Sequence, residues 1–138
     1  MRTVIAALHP RVQGQLIALD AKRAAVARQY VARLAIEPYL GHRLDRGLLG
    51  SAQCRAVYFD RDSRPGDLFG ATRQTRRGDA DPWSGPAYRV VYRLLEARRT
   101  GVRVVQVLAV GRAHASAGSE DVYVAAAQLL RALNSRTN

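Results

Sequence analysis

The segment from residue 87 to 95, "AYRVVYRLL", alternates as a β-strand does, yet it contains two arginines. Arg89 and Arg93 fall on one side of this strand, while Tyr88 and Tyr92 fall on the other. A guanidinium group stays charged at physiological pH and grips a phosphate or a carboxylate through two parallel hydrogen bonds. The pattern therefore places two cations on one face of a strand, where they suit an anionic ligand.

The composition of the whole chain has the same bias. Its 138 residues include 22 basic and 11 acidic side chains, for a formal net charge of +11, and Lys22 is the only lysine. Such an excess of arginine attracts polyanions and suits nucleic acid or an acidic protein partner. A GC-rich genome also enriches arginine, but codon bias alone does not unbalance the acidic residues this far.

Length and residue usage limit the class of protein. A chain of this length predicts one domain, residues 1 to 138. Cys54 is the single cysteine, so an internal disulfide is excluded, and no Cys/His cluster has zinc-site spacing. The apolar run at the N-terminus is only six residues long, too short for a signal peptide or a membrane span. We expect a cytoplasmic protein with no membrane, metal or cofactor.

The N-terminal third predicts one strand and one or two helices. Residues 3 to 8 form a short β-prone run, and Pro10 lies in the first turn of the helical pattern that follows. Periodicity over 11 to 36 fits either one helix or an antiparallel pair, although Asp20 is a plausible N-cap that favours a break. Pro38 ends the helical pattern.

Three further strands are predicted, over 54 to 59, 87 to 95 and 102 to 110, and the last two are joined as a hairpin by a polar link. The glycines of 38 to 52 indicate a loop, and the prolines and cancelling charges of 60 to 87 indicate a long flexible insertion.

A C-terminal amphipathic helix follows the last strand. Val122, Ala126, Leu129 and Leu133 repeat at helical spacing, and Ser119 is placed to cap the helix.

These elements predict an α+β fold, with a small antiparallel sheet, an N-terminal helical hairpin on one face and a C-terminal helix. We expect the helices to cover one face and to leave the other open. Alternation along the strand then sends Arg89 and Arg93 to the uncovered face.

Four segments, taken in order, resemble the RelE/ParE superfamily of bacterial toxins from type II toxin-antitoxin systems. They are "LGHRLDRGLLG" at 40 to 50, "YRVVYRL" at 88 to 94, "VQVLAVGR" at 105 to 112 and "SEDVYVAAAQLL" at 119 to 130. The insertion at 60 to 87 lies outside the resemblance. The ordered set carries the likeness, and it implies a short strand, a helical hairpin and an antiparallel sheet.

The resemblance also implies an activity. The RNA-cleaving branch enters the ribosomal A site and cuts mRNA without a metal, using cationic and hydroxyl-bearing residues of the open sheet face. A ribose 2′-OH attacks the neighbouring phosphorus, so the site must accept a proton, neutralise the phosphorane and help the 5′-oxygen leave. By this resemblance Arg89 clamps the scissile phosphate, and Tyr123 stacks on a base or takes part in proton transfer. Arg112 is then a supporting cation of the cleavage site, and the implied partners are a cognate antitoxin, the ribosome and mRNA.

The chain departs from the pattern of that branch in two places. Where the branch has paired lysines on the second strand, this chain has Arg55 and Val57, and Arg112 is followed by Ala113 instead of a second arginine. Arg55 and Arg93 remain as RNA-binding cations. His114 lies in the lengthened turn that follows, and its imidazole is a candidate replacement because histidine titrates near neutral pH.

Alternatives stay open for the function and for single residues. A ParE-like toxin poisons DNA gyrase by binding alone, and the missing lysine and Ala113 favour it; a degenerate toxin that acts only as a binding module is the third reading. Arg89 could also be an exposed arginine that shields a sheet edge. Tyr123 could equally be a packing residue, and His114 a solvated residue of its loop.

Overall fold

The computed structural model describes residues 4–45, 47–64, 86–96, 101–113 and 121–137. His114, Ser119 and most of the predicted insertion, 65–85, lie outside the described residues. The described elements are β1 (Val4–Leu8), α1 (Pro10–Ala18), α2 (Ala21–Leu34), β2 (His42–Arg43), α3 (Gly47–Ser51), β3 (Arg55–Phe59), β4 (Tyr88–Glu96), β5 (Arg103–Arg112) and α4 (Val122–Thr137). The predicted α+β class is confirmed.

The five strands form one sheet in the order β1-β5-β4-β3-β2. β2, β3, β4 and β5 pair antiparallel with their neighbours, but β1 pairs parallel with β5, with Val4 opposite Arg103. The prediction of an antiparallel sheet is therefore wrong for one edge, and the sheet is mixed. β1 can pair parallel with β5 because a long stretch of chain connects the two strands, whereas a tight turn would force them to be antiparallel.

Two helices follow β1, and the break between them falls at Asp20. The Asp20 carboxylate accepts a hydrogen bond from the backbone N–H of Arg23 at 3.2 Å, as an N-cap does, and Pro10 opens the preceding helix. Of the two readings that periodicity left open, the structure has two helices.

Gln15 Oε1 accepts from the backbone N–H of Val110 at 2.8 Å, beyond the point where β1 ends, and so satisfies a donor at the sheet edge.

α2 covers one face of the sheet. Its Tyr30 ring lies 6.2 Å from that of Phe59, which in turn lies 5.7 Å from that of Tyr88. On this face Val90 and Tyr92 of β4 are fully buried.

α4 packs on the opposite face, which we expected to be open. A Cβ atom on Gly111 would lie 3.8 Å from Cβ of Val122, so the helix approaches β5 closely. Val91 and Ala109, which point to this side, are fully buried. The helix docks here because its apolar stripe needs a partner and the small residues of this face let it approach.

The start of α4 also differs from the prediction. The Asp121 carboxylate accepts from the backbone N–H of Tyr123 at 2.9 Å and of Val124 at 3.4 Å. Asp121 is therefore the N-cap, in place of the predicted Ser119, and the helix begins at Val122.

The segment predicted as a loop before β3 contains β2 and α3, and Tyr92 anchors its first part. The Tyr92 hydroxyl donates to the carbonyl of Pro38 at 2.8 Å and accepts from the N–H of Gly41 at 3.0 Å. A Cβ atom on Gly41 would lie 2.7 Å from the carbonyl oxygen of Ala56, so this position has no room for a side chain. Burial raises the pKa of Tyr92 to about 12.

Candidate functional site

Arg89 is held by three kinds of contact on the α4 side of the sheet. Its guanidinium carbon lies 3.7 Å from the centroid of the Tyr58 ring, a close cation–π contact. Nε donates to the Tyr123 hydroxyl at 3.1 Å, and Nη1 donates to the carbonyls of Pro86 at 2.8 Å and Tyr88 at 3.1 Å. The cation is therefore fixed by an aromatic ring and by neutral acceptors.

Tyr58 lies directly opposite Arg89 because β3 and β4 pair in that register. Its hydroxyl is 2.9 Å from Nε2 of His42, and the two rings meet edge to face with centroids 4.7 Å apart. Burial raises the pKa of the Tyr58 phenol, the neighbouring Tyr123 hydroxyl adds to this, and the Arg89 charge opposes it. The phenol is therefore protonated at neutral pH and can donate to an unprotonated imidazole nitrogen.

We call Arg89, Tyr58, Tyr123 and His42 the Arg89 cluster. Its members come from β4, β3, α4 and β2, and each is half-buried. One fixed cation, two hydroxyls and one imidazole can together bind an anion, donate hydrogen bonds to it and exchange a proton near neutral pH. A cleft of ≈ 280 Å³ lined by Leu44, Asp45, Leu49 and Tyr123 opens beside the cluster.

The structure brings together only part of the predicted site. Arg89 and Tyr123 are hydrogen-bonded, but Arg112 pairs with Tyr88 and emerges from the α2 face, where it is exposed. The alternation of β5 thus sends Arg112 away from Arg89. His114, the predicted acid-base group, lies outside the described residues.

The two predicted RNA-binding arginines also lie apart from the cluster. Arg93 is on the same face as Arg89 but bonds Gln106, with Nε to Oε1 at 2.7 Å. Arg55 lies opposite Tyr92 and donates from Nη1 to the carbonyl of Gly41 at 2.6 Å. Arg55 therefore lies on the α2 face of the sheet, opposite to Arg89.

Sequence reasoning missed two members of the cluster. Tyr58 belongs to an apolar strand pattern in the sequence, and nothing local in the sequence links it to His42. The position of His42 opposite Ala56 depends on β2, a strand of two residues inside a predicted loop. The signal that was available is the alternation of β3, which puts Tyr58 on one face and the apolar Val57 and Phe59 on the other.

Cys54 lies near the cluster in sequence but has different chemistry. The residue is fully buried, and burial raises the pKa of its thiol to about 11, although the Arg93 charge lowers it in part. The thiol is protonated at neutral pH and is a poor nucleophile.

The chain was compared with protein-family models, with curated proteins and with solved structures, and nothing matches. Among the described residues, no helix is long and apolar enough to cross a membrane. The same residues contain no group of three His, Cys, Asp or Glu side chains arranged to hold a metal ion.

Proposed function

We propose that this protein is the toxin of a type II toxin-antitoxin system and cleaves mRNA at the ribosome without a metal ion, with the Arg89 cluster as its site. The observation that supports this most is the hydrogen bond between Arg89 and Tyr123, 3.1 Å long. These are the two residues to which the resemblance gives the phosphate clamp and the terminal tyrosine. His42 and Tyr58 supply a proton acceptor, the role for which this chain lacks the second-strand lysine of the RNA-cleaving branch.

In this mechanism Arg89 neutralises the phosphate. Its Nε and Nη1 atoms have protein acceptors, and Nη2 has none among the described residues, so Nη2 donates to a phosphate oxygen. A cation held rigidly in a half-buried site stabilises the phosphorane more than a solvated one does, because no reorganisation is needed as charge develops.

The protons move through the rest of the cluster. The ribose 2′-OH passes its proton to the Tyr58 hydroxyl, which at the same time gives its own proton to Nε2 of His42, 2.9 Å away. The 2′-oxygen forms a bond to phosphorus and the bond from phosphorus to the 5′-oxygen breaks. The leaving oxygen takes a proton from the Tyr123 hydroxyl, and the products are a 2′,3′-cyclic phosphate and a 5′-hydroxyl.

Replacing the clamp tests this function. The wild-type chain and Arg89→Ala are induced in bacterial cells and the ends of the mRNA are mapped. We expect codon-phased cuts with wild type and a reduction of about 100-fold or more in Arg89→Ala, the typical effect of removing a preorganised donor.

Arg28→Ala is the matched control, because Arg28 is an exposed arginine on α2 and its loss changes the charge equally. This variant should cut as wild type does. Circular dichroism of each purified variant shows whether it folds. Intact mRNA with wild type, or equal cutting by Arg89→Ala, contradicts the proposal.

A ParE-like toxin that poisons DNA gyrase by binding is the second candidate. Arg112 lies on the other face, and most donors of Arg89 already have protein acceptors, which favours a structural arginine and a binding protein. Induction then leaves mRNA intact and breaks chromosomal DNA. Growth without either effect supports the third reading, a degenerate toxin that only binds.

Each version of the proposal includes a cognate antitoxin. A net charge of +11 attracts an acidic partner and speeds its association, so the segment of the antitoxin that binds this chain is proposed to be acidic. An antitoxin of this kind restores growth when it is expressed together with the toxin.

A further inference from the structure

A second basic site lies at the other end of β4 from Arg89. It is a cleft of ≈ 360 Å³ whose lining includes Arg43, Arg55, Arg103, Tyr39 and Glu96. We call it the Tyr39 cleft. Among the described residues of its lining, three guanidinium groups accompany one carboxylate, an excess of two positive charges.

Two of these arginines stand directly opposite each other on neighbouring strands. Arg43 of β2 pairs with Arg55 of β3 in antiparallel register. Like charges at directly opposite positions destabilise a sheet. No described acidic side chain forms an ion pair with either arginine; in the described part of the chain, Glu96 approaches Arg103, at 3.9 Å. A pair that costs stability and has no counter-charge within the described part of the chain indicates a site for an external anion.

Tyr39 gives the cleft an aromatic surface. The side chain is 57% exposed, and the guanidinium carbons of Arg55 and Arg103 lie 4.9 Å and 5.9 Å from its ring centroid. Nη1 of Arg103 also donates to the Tyr39 hydroxyl at 3.3 Å. Arginines around an exposed tyrosine are the combination with which proteins bind single-stranded nucleic acid, the cations holding phosphates and the ring stacking on a base.

We infer that the Tyr39 cleft binds a segment of single-stranded RNA, outside the nucleotides that the Arg89 cluster contacts. The inference rests on the proposed function for the identity of the RNA as the substrate strand. The three arginines of the cleft share a face of the sheet with Tyr92, whereas Arg89 lies on the α4 face. Arg89 and Leu95 are also six residues apart on β4, about 20 Å along an extended strand, so an RNA that reaches both sites must be several nucleotides long and pass around the end of the sheet. An acidic peptide is a different occupant, for which Leu94, Leu95 and Tyr39 would be the apolar anchors, so the test includes a glutamate-rich peptide.

The test uses binding and not cleavage. The probe is a 2′-O-methyl RNA of about twelve nucleotides, which lacks the attacking hydroxyl, and fluorescence anisotropy gives the affinity of the full chain between about 50 and 200 mM salt. The variant is Arg43→Gln with Arg103→Gln; Arg55 stays, because it bonds the carbonyl of Gly41. We expect the affinity to fall by about tenfold. The salt slope should fall by about 1.4, or about 0.7 for each phosphate of a single strand that is no longer neutralised.

The matched control is Arg11→Gln with Arg28→Gln, which removes the same charge from exposed positions on α1 and α2. It should keep most of the affinity and of the salt slope. Equal binding by the cleft variant and the control overturns the inference. So does a cleft variant that binds RNA normally but no longer binds a glutamate-rich peptide, since the cleft would then be a peptide site.

The two proposals fail separately. If RNA binding depends on the cleft but the wild type does not cut mRNA, the nuclease proposal is contradicted and the inference that the cleft binds RNA stands. If thermal melting shows that the double variant is unfolded, Arg43→Gln alone is used; it relieves the repulsion with Arg55 and should fold at least as well as wild type.

Discussion

Arg89 is a cation that, within the described residues, is stabilised without an acidic partner. The Tyr58 ring lies under its guanidinium, and carbonyl and hydroxyl oxygens accept its hydrogen bonds. A carboxylate in this position would neutralise the charge, whereas a ring and neutral oxygens hold the group and leave its charge available. This arrangement explains how an arginine can lie half-buried in a strand and still attract an anion.

The hydroxyl of Tyr58 can be separated from its ring by mutation. Tyr58→Phe keeps the ring under Arg89 and removes the group that bonds His42. We expect affinity for non-cleavable RNA to change by less than about twofold and cleavage to slow by about 100-fold, the usual scale of general acid-base catalysis. The rate should also lose the dependence between about pH 5 and 8 that a histidine base gives.

Tyr58→Leu is the companion variant, because it removes the ring as well. It should weaken RNA binding and lower stability in addition to slowing cleavage. His42→Gln should slow cleavage as Tyr58→Phe does, without the weaker RNA binding and lower stability expected of Tyr58→Leu. Normal cleavage and a normal pH profile in Tyr58→Phe would show that the hydroxyl takes no part.

Among the elements, Asp60 joins α2 to the ends of β3 and β4. Its carboxylate accepts from Nε of Arg23 at 2.8 Å, from the N–H of Arg61 at 2.8 Å and from the N–H of Ala87 at 3.4 Å. Burial raises the pKa of this carboxyl, but the hydrogen bonds from Arg23 and from the two backbone amides outweigh it and hold the pKa below its usual value. The two ends of the predicted insertion are thus tied to one carboxylate.

This carboxylate should make stability depend on pH. The pKa of Asp60 is lower in the folded state than in the unfolded chain. Its contribution to the free energy of unfolding is therefore fully present above the unfolded-state pKa of about 3.9, and it is lost as the pH falls through the folded-state pKa. Asp60→Asn should lower the free energy of unfolding by about 1 kcal/mol at pH 7, after allowance for partial exposure. Urea denaturation at pH 7 and at pH 3 measures the difference, which should shrink at the lower pH.

Asp62→Asn is the control for this experiment. Asp62 is exposed and only two residues away, so the same change of charge should leave the stability near that of wild type. A difference between Asp60→Asn and wild type that stays constant from pH 7 to pH 3 would contradict the role of the charge.

At the scale of the whole molecule the dominant feature is the net charge of +11. Few ion pairs offset it in the described residues, and those of Arg23 and Arg33 with Asp20 and Glu37 lie near the surface. Self-repulsion of this kind destabilises a compact state, and salt screens it because the Debye length falls from about 30 Å at 0.01 M to about 10 Å at 0.1 M.

Salt should therefore stabilise the protein while it weakens RNA binding. We expect the melting temperature to rise by about 3 °C, or about 1 kcal/mol, between about 0.01 M and 0.1 M NaCl. The Arg11→Gln and Arg28→Gln variant has less charge to screen and should show a smaller rise. Scanning calorimetry measures both, and a melting temperature that falls with salt would contradict self-repulsion.

The amino-acid sequence by itself determined the local features of this protein. Asp20 starts α2 because a carboxylate caps free N–H groups, and the alternation in β4 separates Arg89 from Tyr88. The segments 54 to 59, 87 to 95 and 102 to 110 were predicted as strands because each has a β-type pattern of its own. Each of these features depends on residues that are close in sequence.

Only the tertiary structure decided which side chains meet. The register of β3 against β4 put Tyr58 under Arg89, and the docking of α4 brought Tyr123 to the same place. The same alternation carried Arg112 to the opposite face. Pairing register and helix docking follow from contacts between segments far apart in the chain, and a shift of one residue reverses the face of every side chain, so local patterns do not fix them.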